Sequence, residues 1–167
     1  MVRVQAVTVF LLALCAASAS NLGEAQEPPD KAEARALFEE GVGLAEENRW
    51  TEALEAFQSS NELVSRASTS YNIANALYRL NRPVDALAEL DEHDRMPGTL
   101  RSKSAQKRSR ELRALVRESV AEVMLSVSPA SATILVDGWP STLAGSERLL
   151  LLNPGNHFIE ARRDGYH

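Results

Sequence analysis

An α+β chain is predicted, with an all-helical repeat segment followed by a small antiparallel, β-sandwich-like module. Two observations carry this. Between residues 34 and 97 apolar side chains recur at helical spacing, and six positions repeat at an offset of 33 residues. Beyond Val123 the period drops to two, with the turn signals Asp137-Gly138 and Asn153-Pro154-Gly155 between short β-prone runs. Composition agrees. Of 167 residues, 44% are hydrophobic and 25% charged, which suits one compact domain or two small ones and excludes a disordered chain. It also excludes a large enzyme with separate cofactor and substrate domains. A net charge of −5 gives no electrostatic reason to expect nucleic-acid binding, and 5% aromatics leave little for base stacking.

The first residues read as an address. Arg3 precedes an apolar run over residues 7–17, followed by the small residues Ala17-Ser18-Ala19, so a bacterial-type signal peptide is expected over residues 1–19. A second candidate cut follows Ala25. The run falls short of the ~20 apolar residues of a membrane span, and uncleaved anchoring is the alternative. Cys15, the one cysteine, follows Leu12-Ala13-Leu14 in loose likeness to a lipoprotein box. Leu14 stands where that motif takes a small residue, which argues against lipid anchoring at Cys15. Cleavage after Ala19 leaves no cysteine, so packing alone must hold the exported chain. Residues 20–30 are predicted to be a flexible linker, with Pro28 and Pro29 stopping helix propagation and Asp30 capping the next helix.

The repeat spans residues 31–97. Leu37, Gly41 and Leu44 share a helical face, a turn at Glu46-Glu47-Asn48-Arg49 follows, and a second helix carries Ala53, Phe57 and Leu63. At an offset of 33, Gly41 matches Ala74, Leu44 matches Leu77 and Asn48 matches Asn81. Trp50 likewise matches Pro83, Ala53 matches Ala86 and Phe57 matches Leu90. Gly41 and Ala74 permit close helix approach, while Phe57 and Leu90 fill the space between pairs. Two repeats bury too little on their own, so a capping and connecting helix is expected over residues 98–123. Leu112, Leu115, Val116, Val120 and Val123 would form its apolar stripe. Its earlier half, with Arg101, Lys103, Lys107, Arg108 and Arg110, is expected to be solvated or frayed.

The β module is expected over residues 124–167. Met124-Leu125-Ser126-Val127-Ser128 alternates, and Thr133-Ile134-Leu135-Val136 is β-branched. Residues 149–152 are a short apolar strand candidate, residues 157–162 alternate again, and Asp164-Gly165-Tyr166 makes a last turn.

Two family resemblances follow from these residues. The Leu37, Gly41, Leu44, Ala53, Phe57 pattern and the segment Tyr71-Asn72-Ile73-Ala74-Asn75-Ala76-Leu77-Tyr78 resemble the tetratricopeptide repeat (TPR). The chain departs from that family in having no Trp at the first large position and no proline near Ser65. The β segment resembles a PEGA domain, a small bacterial envelope module. Pro129-Ala130-Ser131-Ala132 stands at its name motif and keeps only the proline and the final alanine. Val136-Asp137-Gly138, Leu152-Asn153-Pro154-Gly155 with His157, and Gly165-Tyr166 match as well. That family carries further strands after its Gly-Tyr pair, so a fragment or curtailed module with an open sheet edge is expected.

The TPR resemblance implies a concave groove that takes an extended peptide or a partner helix. Its matching positions are Phe38, Val42 and Glu46 in the first copy, and Tyr71, Asn75 and Arg79 in the second, with Asn72 beside them. Asn serves a peptide backbone as donor and acceptor, Arg pairs a carboxylate, and Tyr supplies flat area. Phe38 and Val42 have packing on a neighbouring helix as their alternative role.

Signals for chemistry are weak. Gly41-Val42-Gly43 lies inside a helix and lacks a third glycine, so no phosphate loop is expected. Asp91-Glu92-His93-Asp94 projects around a helix and reads as a solvated helix end rather than a metal site. His157 has packing or hydrogen bonding as its expected role, no nucleophile elbow occurs, and no enzyme, cofactor or metal is expected. Residues 101–117 hold seven Lys and Arg against one Glu, from Arg101 to Arg117. They read either as a solvated helix offset by Asp85, Glu89, Asp91, Glu92 and Asp94, or as a peripheral contact for anionic lipid or an acidic partner. The expectation is an exported, periplasmic or envelope-associated, non-enzymatic adaptor with a protein partner. The alternative is a wall- or surface-associated structural protein whose β module acts while the helices space it. A weaker third reading is a subunit of an export or regulatory complex. Trp139 is the one aromatic placed for glycan contact, with closure of the small core as its other role.

Overall fold

The computed structural model describes residues 28–143 and 145–165. The expected signal peptide, Cys15, the linker up to residue 27, Tyr166 and His167 lie outside the described residues. The chain is α+β, with helices first and two small antiparallel sheets after them.

Helices α1 (Pro29–Glu46) and α2 (Trp50–Leu63) form one hairpin, and α3 (Ala67–Arg79) and α4 (Pro83–Arg95) a second. The repeat extends into the turns. Asn48 and Asn81 both take φ 60°, the left-handed conformation that Asn tolerates better than most residues. Each is followed by an amide that closes the helix end, Arg49 N on Leu44 O and Arg82 N on Leu77 O, both at 2.9 Å. Arg49 and Arg82 then pair with Glu52 and Asp85 across the first turn of the next helix. The hairpins share one core of Ala53, Leu54, Phe57, Ile73, Ala74, Leu77, Ala86 and Leu90. Ser60 Oγ donates to Ala34 O at 2.7 Å, fastening α2 to α1 where both residues are buried.

Three expectations change at the helix ends. Asp30 does not cap α1. Pro28 holds the cap position with φ −49°, and Pro29 opens the helix, where its missing N–H has no partner to lose. Asp30 sits in the first turn instead, a favourable place for a negative charge. The helix expected over 98–123 is two helices, α5 (Pro97–Leu100) and α6 (Lys103–Glu118). Ser102 separates them and caps α6 by accepting from Ala105 N at 3.2 Å. The earlier half of α6 is solvated at Lys103, Lys107, Arg108 and Arg110, as one alternative had it. It is ordered helix rather than frayed, because Ser109 is fully buried against α4 and the cap fixes its start. Leu112 and Val116 join the helical core, each contributing about 1.5–3 kcal/mol by burial. Leu115 is half exposed, and Val120 and Val123 lie beyond the helix.

The reason is that strand β1 (Ala121–Ser126) begins before the expected boundary at residue 124, captured by pairing with β4 (Glu147–Leu152). A three-stranded sheet holds β2 (Thr133–Val136) at its centre, between β3 (Trp139–Pro140) and β5 (Ile159–Arg162). Asp137 and Gly138 both have positive φ, the turn geometry that joins β2 to β3. Leu125 of the first sheet meets Val136 and Ile159 of the second around Val127, Ala132 and Ile134. Arg148 is 4% exposed on the inner side of β4, and among the described residues no carboxylate pairs with it. It donates to Gly145 O, Ala130 O and Ala132 O at 2.7–2.9 Å, tying the segment before β2 to β4. Trp139 is 79% exposed and does not close the core.

Candidate functional site

The apolar stripe of α3 (Ile73, Ala74, Leu77) turns Tyr71, Asn72 and Asn75 toward its other side. Two clefts open there and meet at Asn72. The smaller, of about 220 Å³, lies between α1 and α3 and is lined by Val42, Ala45, Glu46, Trp50, Asn72 and Asn75, with Phe57 at its floor. The larger, of about 520 Å³, lies between α3, α5 and α6. Tyr71, Asn72, Ser68, His93, Ser102 and Arg108 line it, with Ala67, Gly98 and Ala105.

Of the seven residues assigned to a groove from sequence, Val42, Glu46, Asn72 and Asn75 therefore border one cleft, and Tyr71 and Asn72 the other. Phe38 stands apart: its ring packs tilted against Phe57, with centroids 5.7 Å apart. Arg79 lines neither cleft, because its guanidinium lies 5.3 Å over the ring of Trp50 and steadies that wall of the smaller one.

Tyr71 is held from two sides. The His93 ring lies 5.9 Å from it and the Arg108 guanidinium 5.7 Å. His93 is 2% exposed, which corrects the reading of residues 91–94 as a merely solvated helix end. Ala86, Leu90 and His93 follow i, i+4, i+7 spacing, so His93 continues the buried stripe of α4, a signal present in the sequence. Its Nδ1 donates to Asp94 Oδ1 at 3.0 Å. The Asp94 carboxylate also accepts from Ser109 Oγ at 2.6 Å and from Arg113 Nη2 at 2.9 Å. Partial burial pushes that carboxyl up, but the hydrogen bonds from Ser109, His93 and Arg113 and the Arg113 charge outweigh it and hold Asp94 below the usual carboxylate range. Arg113 reaches Asp91 as well, at 2.6 Å. Asp94 is thus the fastening of α6, and hence of the far wall of the larger cleft. No family model, curated protein or solved structure matches the chain.

Among the described residues no group of three His, Cys, Asp or Glu side chains is gathered as metal ligands would be. A close His–Asp pair lies in the β module. His157 Nδ1 is 2.6 Å from Asp137 Oδ2, and its Nε2 is 2.6 Å from Asn153 O. Both neighbours are acceptors, so only the doubly protonated ring donates to both. The Asp137 hydrogen bond first, then that to Asn153 O, raises the His157 pKa above its ordinary value. The same pair, with Phe158 N donating to Oδ1 at 2.8 Å, lowers that of Asp137.

A pH dependence follows. The His157 contribution is complete below its unfolded pKa, about 6.5, and fades as pH rises through the raised folded value. The Asp137 contribution is present above about 3.9 and fades as pH falls through its lowered value. The β module is therefore expected to be most stable between about pH 4 and 6.5. Urea unfolding followed by amide signals of β2 and β5 between pH 5 and 9 tests this. His157→Gln should abolish the alkaline decline; an identical decline in that variant assigns it to another group.

Proposed function

We propose that the chain is an exported, non-enzymatic adaptor of the bacterial envelope. Its TPR-like hairpins receive a partner peptide or helix along α3, and its PEGA-like β module supplies a second contact. The observation that carries this reading is the junction of the two clefts at Asn72, with Tyr71 and Asn75 beside it on one side of a single helix. An amide at such a junction can pair with the backbone of an extended segment laid across both clefts, whatever its side chains. The apolar stretch near Val42 and Trp50 suits an aliphatic anchor, and Tyr71, braced by His93 and Arg108, presents area with little ordering cost. The export address over residues 1–19 supports the location.

Site-specific photo-crosslinking in envelope extract tests the reading. A crosslinker at Asn72 or Asn75 is expected to yield one discrete adduct, lost when Tyr71 is replaced by alanine. A crosslinker at Gln58, exposed on α2, should yield none. Equal adducts from all three positions, or none from α3, would refute a groove. One observation favours the structural alternative: Trp139 and Phe158 are both largely exposed on the β module. Sedimentation with wall material that is lost on Trp139→Ala and untouched by Asn72→Ala would transfer the function there.

A further inference from the structure

Four cations line the outer side of α6. Taking 100° per residue, Lys103, Lys107, Arg110 and Arg117 fall within a narrow sector opposite the buried Leu112, and all four are exposed. They extend along about 21 Å of helix. Lys107 makes a loose pair with Glu111 at 3.7 Å. Among the described residues Lys103, Arg110 and Arg117 have no carboxylate within ion-pair distance, although the chain as a whole is acidic. Of the acidic side chains of α4, Asp91 and Asp94 both hold Arg113, Asp85 pairs with Arg82 and Glu92 with Arg95.

Helix electrostatics sharpen the point. Asp30, Glu52 and Asp85 place an acid in the first turn of α1, α2 and α4; α3, α5 and α6 have none, and α6 begins with Lys103. A cation at the positive end of a helix opposes folding and attracts external anions. Just before it, Leu100 is 62% exposed at the end of α5. The larger cleft takes Ala105 and Arg108 from α6 and none of the four cations. A straight, shallow line of charge offers no socket for a folded partner but lies readily along a plane of anions, with an apolar side chain at one end to enter it.

We infer that the outer face of α6, through Lys103, Lys107, Arg110 and Arg117, docks the protein on an anionic lipid surface. This contact is separate from the α3 clefts, so a membrane and a groove partner can be held together.

The test uses the full chain and sedimentation with vesicles of phosphatidylglycerol and phosphatidylcholine, against vesicles of phosphatidylcholine alone. The protein is expected to bind the anionic vesicles at least about tenfold more strongly, with binding falling steeply as salt rises. Changing Lys103, Lys107, Arg110 and Arg117 together to Gln, a good helix former, should remove that preference while the circular dichroism of the helices is kept. A control with the same charge change elsewhere (Lys31, Arg35, Arg66 and Arg95 to Gln) should keep it. The inference is overturned if the α6 variant still prefers anionic vesicles, or if the wild type binds both kinds equally and independently of salt, which would assign binding to the apolar run over residues 7–17. Stripe-dependent binding to polyglutamate without binding to vesicles would overturn it in favour of an acidic protein.

Discussion

Gly41→Ala is expected to lower the stability of the helical part by about 1–3 kcal/mol. A Cβ at Gly41 would lie 2.6 Å from Phe57 Cε1 and 2.7 Å from Cδ1. The Phe57 ring has no room to yield, since it is buried and Phe38 packs on it. The second repeat solves the same geometry with the opposite sizes, Ala74 and Leu90, both fully buried. Phe57→Leu alone should leave unfilled volume and cost about 1–2 kcal/mol. Gly41→Ala with Phe57→Leu gives the first hairpin the pair of the second, and should recover most of both losses. Urea unfolding of the four proteins forms a complete cycle. Additive losses would mean that the two positions are not matched in size.

Asp94→Ala is expected to cost about 2–3 kcal/mol, the lower part of the range for stranding several partners because water reaches this half-exposed carboxylate. The change leaves the buried Ser109 hydroxyl and His93 Nδ1 without an acceptor and frees one arm of Arg113. Amides of α6 should exchange with solvent far faster than those of α1 and α2 in the same molecule. Asp94→Asn keeps an oxygen for Ser109 and should cost about half as much. A wild-type exchange pattern in Asp94→Ala would show that apolar packing of Leu112 and Val116 alone retains α6. The wild type should also loosen at α6 as acid protonates Asp94: its contribution is present above about pH 3.9 and is lost as pH falls through its lowered folded value.

The helical hairpins were legible because their instructions are local and written twice. A small residue at 41 and 74, an Asn at 48 and 81, and a filler at 57 and 90 each act within one hairpin. The β turns were legible for the same reason, Asp137-Gly138 carrying its own backbone preference. What escaped was polar and distant. The start of α6 has almost no apolar pattern; it is held by the Ser102 cap and by the bonds that Ser109 and Arg113 make to Asp94 and Asp91 of α4. The end of α6 is decided by the pairing of Ala121 with Leu152, far along the chain. Arg148, buried by carbonyl oxygens in a run that otherwise reads as leucine, gives no sign of its role in a one-dimensional pattern. The clefts show the same division. The residues of α1 and α3 follow from repeat spacing, whereas Arg108 and Ser102 arrive from α6, whose docking depends on Asp94.

The β module reaches back to the repeats through Asn153. Asn153 Oδ1 accepts from Val84 N, 69 residues earlier, at 2.9 Å. Val84 is at the N-terminal end of α4, where backbone N–H groups have no partner within the helix. An amide side chain from the far part of the chain therefore does for α4 what a neighbouring Ser or Asp does for most helices. The two parts then share a small reciprocal free energy, on the order of the 0.5–2 kcal/mol of an N-cap. His157 bonds the Asn153 carbonyl, so a proton gained or lost at the imidazole reaches the first turn of α4 through a single side chain.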